Sequence, residues 1–407
     1  TERDQDNDWW DAALVPHLVD QRVQLCRGLV LLGDIKTQPT AVSPLTGFES
    51  LAGPDSAIIG HPKLELTTVA TPQHAMAKIL TTTGAITKAN YIPSKAGKKA
   101  EFHHIFGACV VEIGKDKYHI RQINAASNGS FQDLDTVYTS TGTHPGTVDA
   151  LIMGDLHEEL VDPNVVAATF TRSDSIVKTL KPKRLVWHDV HEFYSRNHHH
   201  RGEVFINYAK HHAGADNVEK ALDGTFAFID KHTPPGVTNI FVPSNHPDAL
   251  ARWVKEADPK NDPENAVFWA RTFEAMCLHS KMGKAGATTV DPFAYWGKRK
   301  LKCADRSIFL NRDQSYTVHG IELCHHGDKG INGARGSRAA LAKIGVKTVI
   351  GHSHSPGIVH GCMQVGTSSY LRLEYNKGPS SWMQTHALIY GTKKRSLIFI
   401  IDGDWRA

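Results

Sequence analysis

The sequence predicts an α/β fold preceded by an extra N-terminal α+β domain. Short apolar runs end in polar, ligand-type tips five times: ALIMGDLH, RLVWHDVHEF, NIFVPSNHPD, IELCHHGDKG and KTVIGHSHSP. Helix-like stretches follow them, and this alternation is the α/β pattern, in which sites gather beyond the strand C-termini. The chain's 407 residues exceed the usual single domain, so two domains are expected.

Residues 1–148 have a different texture. WWDAALVPHLVDQRVQLC repeats apolar residues every three to four positions, as a helix interrupted near Pro16 would. A Gly-, Pro-, Ser- and Thr-rich region follows. HIFGACVVEIGKDKYHIRQINA then reads as a hairpin around a Gly-Lys-Asp turn. YTSTGTHPGT (138–147) reads as a linker, which places an accessory domain at 1–148 and the main domain at 149–407. The tail reads as further strands with turns at Asn376-Lys377-Gly378 and Gly391.

Composition narrows the function. Lys+Arg exceeds Asp+Glu by 46 − 42 = 4, a mild basic excess that permits a polyanionic partner without demanding one. Six scattered cysteines without CxxC spacing argue against a thiolate zinc site and a disulfide scaffold, and fit a reducing cytoplasm. No apolar run reaches the ~18–20 residues that span a bilayer, so no membrane association is expected. The polar, acidic start at Thr1 leads one to expect no signal peptide, and the missing initiator Met a longer gene product. Histidine is the outlier, with 25 residues clustered at 103–104, 198–200 and 325–326. His is the commonest metal ligand and a near-neutral acid or base.

The five tips supply a constellation. Asp155 and His157 stand two apart, so both can face one ion. Asp189 offers two carboxylate oxygens and can bridge two cations. Asn245 brings a neutral hard oxygen beside a free His246. His325 and His326 precede Gly327, and His352 and His354 form the last pair. Mixed N/O ligands without thiolates suit Mn²⁺, Fe or Zn²⁺. Two metals ~3.5–4 Å apart clamp the attacking and leaving oxygens of an in-line phosphoryl displacement.

The ordered set GDLH, HDVHE, SNHPD, CHHGD and GHSH, over about 155–354, resembles the motif set of the calcineurin-like metallophosphoesterase superfamily. That resemblance implies a two-sheet sandwich flanked by helices, with the C-terminal strands in the second sheet. It implies Asp155, His157 and His354 on a first metal, Asn245, His326 and His352 on a second, and Asp189 bridging. The metals would be two divalent ions, expected to be Mn²⁺, with Mg²⁺, Fe or Zn²⁺ as alternatives, and the nucleophile a metal-bound hydroxide. His246 would be the unliganded histidine beside the scissile phosphate. The chain departs from the family pattern at His188, Glu192 and Ser244, and Pro247 stands where an orienting acid is expected, with Asp248 one later. Asp248 is therefore the candidate to orient His246. His325 remains an alternative to His326, and Asp189-Val190-His191 is itself a D-x-H that could exchange places with the first motif.

The chain is also similar to the DNA-repair exonuclease branch of the superfamily and, through its tail GPSSWMQTHALIYGTKKRSLIFIIDGDWR, to phage phosphoesterases that degrade host DNA. A DNA nuclease in the cytoplasm, the host's if a phage encodes it, is the first expectation. A small-molecule phosphomonoesterase or cyclic-nucleotide phosphodiesterase is the second, and an inactive metal-binding scaffold the third. Arg196, His198, His199, Arg201 and Arg335 are candidates to meet substrate phosphates, each with a surface role as the alternative. The basic runs at 181–184, 298–302 and 393–395, with Lys95, Lys98 and Lys99, either track a nucleic-acid backbone or form solvated faces. Trp9-Trp10 read as packed at a domain or subunit contact, and a homo-oligomer is expected.

Overall fold

The computed structural model describes residues 12–72, 75–284 and 286–407; Trp9 and Trp10 fall outside them. Two large sheets carry the fold. The first has six strands in the order Ser307–Phe309, Thr238–Phe241, Arg184–Trp187, Val148–Ile152, Thr385–Tyr390 and Arg395–Phe399. Its first four strands are parallel and its last two antiparallel.

Both faces of this sheet are buried, which is why its strands read as apolar runs. Leu151, Met153, Leu185, Trp187, Phe241, Leu388 and Tyr390 pack on one side. There they meet helices, including Val218–His232, whose Val218, Leu222, Phe226 and Ile229 repeat at helical spacing. The alternate residues Ala150, Ile152, Val186, Ile240, Ala387 and Ile389 face the second sheet.

The second sheet has ten strands. In order they are Arg22–Cys26, Leu29–Leu32, Ser56–Ile59, Lys78–Thr82, Leu66–Val69, Gly357–Val359, Cys362–Gln364, Thr348–Ile350, Ile321–Glu322 and Thr317–Val318. Half of it comes from the N-terminal stretch and half from the C-terminal one, joined where Leu66 and Thr67 pair antiparallel with Ile358 and Gly357. Leu29, Ile58, Leu66 and Ile79 share one apolar cluster with Ile152, Ile240, Val349 and Met363. Sheet and core both continue across the boundary expected at 148/149. The N-terminal stretch completes the sandwich.

Three other expectations change. The stretch after Trp10 forms a single 3₁₀ turn at Val15–His17 and then the strand Arg22–Cys26. Its β-branched and apolar residues serve an edge strand, and Pro16 allows no longer helix. The linker expected at 138–147 is largely the hairpin Thr136–Thr139 with Gly142–Pro145, in keeping with its Thr and Tyr content. The last two strands belong to the first sheet and not the second, because Leu388 and Tyr390 supply its helix-facing side. The hairpin read at 104–125 is present as Gly107–Ile113 with Tyr118–Asn124. Among the described residues, no helix is long and apolar enough to cross a membrane.

A chain cut to 149–407 would lose half of the ten-stranded sheet and expose the apolar face of the other. The full chain is expected to unfold in one cooperative thermal transition, and the 149–407 fragment to give none by circular dichroism. A fragment melting cooperatively near the parent temperature would contradict the shared core.

Candidate metal centre

All five tips converge at one end of the sandwich. Asp155, His157, Asp189, Asn245 and His246 follow three parallel strands of the first sheet, and His326, His352 and His354 follow two parallel strands of the second. Asp155, His157, Asp189, His326 and His354 are buried, whereas Asn245, His246 and His352 are partly open to solvent.

The donor atoms fall into overlapping groups that could hold metal. Asp155, His157 and His354 form one and Asp189, His326 and His352 another; Asp155 with His188 and His326, and His157 with Asp189 and His246, form two more, with donors inside each group within 4.8 Å of one another. His157 Nε2 is 2.9 Å from His354 Nε2, and His354 Nε2 is 3.2 Å from Asp155 Oδ2. His326 Nε2 is 2.9 Å from Asp189 Oδ2, and His352 Nδ1 is 3.1 Å from Asn245 Oδ1. Asp155 Oδ1 is buried without a hydrogen bond. Imidazole nitrogens converging on each other and on buried carboxylates, with no thiolate, are a donor set suited to divalent cations of the Mn²⁺, Fe or Zn²⁺ kind. The residues present could therefore hold metal ions.

The backbone is bent to make this cluster. His157, Asp189, His352 and His354 have φ of 44°, 39°, 83° and 57°, a left-handed region that non-glycine residues seldom occupy. Gly351 is required by contact: a Cβ there would stand 2.2 Å from Asp155 Oδ1 and 3.2 Å from His326 Nδ1. His352 N–H in turn donates to Asp155 Oδ2 at 2.8 Å.

Electrostatics follow the same geometry. Burial would raise the Asp155 carboxyl, but His326 and His354 hold it down at about 2. Asp189 is likewise opposed by burial and held well below the usual range by His326 and His246. Burial disfavours the His326 cation, yet Asp189 and Asp155 push it up to about 9.

The predicted site residues divide. His326 joins the cluster, and the adjacent His325 belongs to none of the groups found among the described residues. His191 belongs to none of the groups found among the described residues, its Nδ1 2.9 Å from Thr225 Oγ1 on the helix behind. Asp248 does not orient His246. Its Oδ2 accepts from Arg312 Nη2 at 2.7 Å, and Arg312 also meets Asp328 Oδ2 at 2.9 Å. Asp248 opens the helix Pro247–Glu256, so its carboxylate points out and ties that helix to the loop after His326.

Glu192 holds His246 instead, its backbone O 3.1 Å from His246 Nδ1. Its carboxylate Oε2 is 2.5 Å from His157 Nδ1 and 3.1 Å from His246 Nδ1. Burial would push His246 down, but Asp189 and Glu192 raise it to about 10. The sequence flagged Glu192 only as an unusual motif position. His188, another departure, is buried with Nδ1 3.2 Å from His326 Nδ1. Trp382 was not singled out at all, yet its ring centroid is 4.1 Å from that of His354.

The five phosphate-binding candidates are not all free. Arg196 uses its guanidinium on both oxygens of Asp262, at 2.8 and 2.7 Å, and Arg201 pairs with Glu256 at 2.9 Å. Both are thus engaged in ion pairs within the chain. His198 is exposed, with Nε2 2.8 Å from Arg252 Nη1, and His199 stacks against it at 3.9 Å. Arg335 is exposed in the loop after His326 and makes no ion pair among the described residues. The basic runs at 181–184 and 393–395 precede strands at the end of the sheet opposite the cluster; Lys183 binds Asp149 there at 2.6 Å.

Protein A1 of Escherichia phage T5 is 35% identical to the chain over 413 aligned residues, which take in 98% of this chain and 73% of that protein. No protein-family model matches the sequence, and no solved structure does.

Gly351→Ala is expected to displace Asp155 and weaken Mn²⁺ binding by about 10- to 100-fold, the range for residues that orient ligands. Isothermal titration with Mn²⁺, beside far-ultraviolet circular dichroism to check the fold, measures it. Parental affinity in the folded variant would show that this contact does not shape the site.

Proposed function

The chain belongs to the same family as Protein A1 of Escherichia phage T5, and on that premise we propose that it is a two-metal phosphodiester hydrolase of calcineurin-like type that cleaves DNA. One observation carries the reading: eight ligand-type side chains, His246 among them, arrive from five strand ends in one cluster. The order of those tips is the one the metallophosphoesterase resemblance implies.

Asp155, His157 and His354 would hold one cation, Asn245, His326 and His352 the other, and Asp189 both. When bound, the cations supply Lewis-acid charge that activates water and clamps the oxygens of an in-line displacement. The protein's own residues do the rest. Asp189 aims Oδ2 at His326 Nε2 and accepts at Oδ1 from the His246 N–H, 3.2 Å away. It thereby fixes the free histidine relative to both ligand groups.

Glu192 stands beside two imidazoles at once. Its carboxylate lies against the Nδ1 side of His157, whose Nε2 meets His354, and its backbone carbonyl is 3.1 Å from His246 Nδ1. Held at Nδ1 in this way, His246 has Nε2 left to act as a donor. A proton there can stabilise charge on the phosphoryl oxygens or pass to the leaving oxygen. DNA as substrate is supported by the resemblance to phage phosphoesterases and by the basic excess of the chain.

Incubation with linear, circular and single-stranded DNA is expected to show cleavage with Mn²⁺ and none with EDTA. Asp189→Asn should cost on the order of 10³-fold in rate, since it removes a charge shared by both cations. Metal-independent cleavage, or full activity in Asp189→Asn, would refute the reading, and turnover of small chromogenic phosphoesters with intact DNA would move the substrate to a small molecule.

The two acids should differ. Glu192→Gln is expected to lower kcat about 10- to 100-fold through His157 and His246. Asp248→Asn, which loses only a half-exposed ion pair, should change it less than about fivefold. The reverse order in steady-state kinetics would return the orienting role to Asp248.

A further inference from the structure

Beside the cluster the chain carries an aromatic corner for which phosphoryl chemistry alone has no use. Trp382 meets the ligand-type His354 edge-on, with centroids 4.1 Å apart and planes at 70°. Tyr375 meets Trp382 in turn at 6.1 Å and 63°, and half of its surface is open to solvent. The two rings thus run edge to face from the ligand-type His354 toward solvent.

The loop bearing the two rings is fixed. Ser380 exchanges two backbone hydrogen bonds with Thr71, at 2.8 and 3.1 Å. Ser381 Oγ is 2.7 Å from Ser355 Oγ, one residue beyond His354. The Asn376 amide donates to Leu371 O at 3.0 Å. On its outer side Glu374 accepts from Tyr194 OH at 3.3 Å and stands 2.9 Å from His200 Nε2. A surface loop tied at four points is preorganised, so a ligand meeting it loses little to ordering. Arg372 and Lys377, on the same loop, are exposed.

We propose that Tyr375 and Trp382 form a stacking subsite for the nucleobase next to the scissile phosphate, with Arg372 and Lys377 beside it meeting the backbone. The inference rests on the nuclease reading and adds how the substrate is recognised. A phosphate placed at the cluster has its own nucleoside one sugar away, and half-exposed Tyr375, next to Trp382, is the ring open to such a base. Aromatic faces beside cationic side chains are the means by which single-stranded nucleic acid is held without reading its sequence. Such a subsite tolerates all four bases and demands a flat ring. It also favours ends and single strands, where a base is free to leave its neighbours.

The test uses the full chain with Mn²⁺ and two short single-stranded oligonucleotides, identical except that one carries tetrahydrofuran abasic residues throughout its cleavable stretch. Stacking is worth ~1–3 kcal/mol per base, so the parent should cleave the normal strand about 5- to 150-fold more efficiently by kcat/KM. Tyr375→Ala should lose that preference by slowing on the normal strand alone, and Tyr375→Phe should keep it. Fluorescence anisotropy in EDTA should show the same loss of affinity for the normal strand in Tyr375→Ala, independently of turnover. Equal cleavage of both strands by the parent, or an unchanged preference in Tyr375→Ala, would overturn the subsite while leaving a nuclease. Hydrolysis of small phosphoesters with no cleavage of either strand would overturn the nuclease reading and the subsite together.

Discussion

The structure depends on the burial of carboxylates. Asp155, Asp189 and Glu192 are withdrawn from water at the meeting point of two sheets, and each would be strongly disfavoured there unless compensated. The compensation comes from imidazoles: His326 and His354 for Asp155, His326 and His246 for Asp189, His157 and His246 for Glu192. An imidazole can serve in two ways, as a cation beside the carboxylate or as a neutral donor sharing a metal with it. The second also relieves close ring nitrogens such as His157 Nε2 and His354 Nε2, 2.9 Å apart.

Much of the surrounding architecture answers that demand. Parallel strands in both sheets deliver their C-terminal loops to one end, so carboxylate and imidazole arrive from opposite sides of the sandwich. Gly351 has no side chain because Asp155 occupies that space. The left-handed turns at His157, Asp189, His352 and His354 aim side chains that ordinary strand geometry would send elsewhere. The N-terminal stretch contributes by completing the second sheet, and through Thr71 it also anchors the loop that sets Trp382 against His354.

The legible part of the site was the part set by local sequence. A ligand-rich tip directly after an apolar strand is decided within about eight residues, and all five tips sit where the pattern put them. Partnerships across the fold were not legible. Asp248 stands close to His246 in sequence, but helix geometry turns it toward Arg312, while Glu192 reaches His246 from another strand. Arg196 and Arg201 read as free cations because Asp262 and Glu256 lie far along the chain. The same limit explains the boundary expected at 148/149. The change of texture there is real, but the pairing of Leu66 with Ile358 joins residues almost 300 apart. No local pattern encodes that.

Anomalous diffraction from crystals grown with Mn²⁺ tests the two-metal centre most directly. Two peaks are predicted, one among Asp155, His157 and His354 and the other among Asn245, His326 and His352, with Asp189 touching both. Crystals saturated with Mn²⁺ that show no peak in this cluster, or ordered metal only elsewhere on the chain, would contradict it.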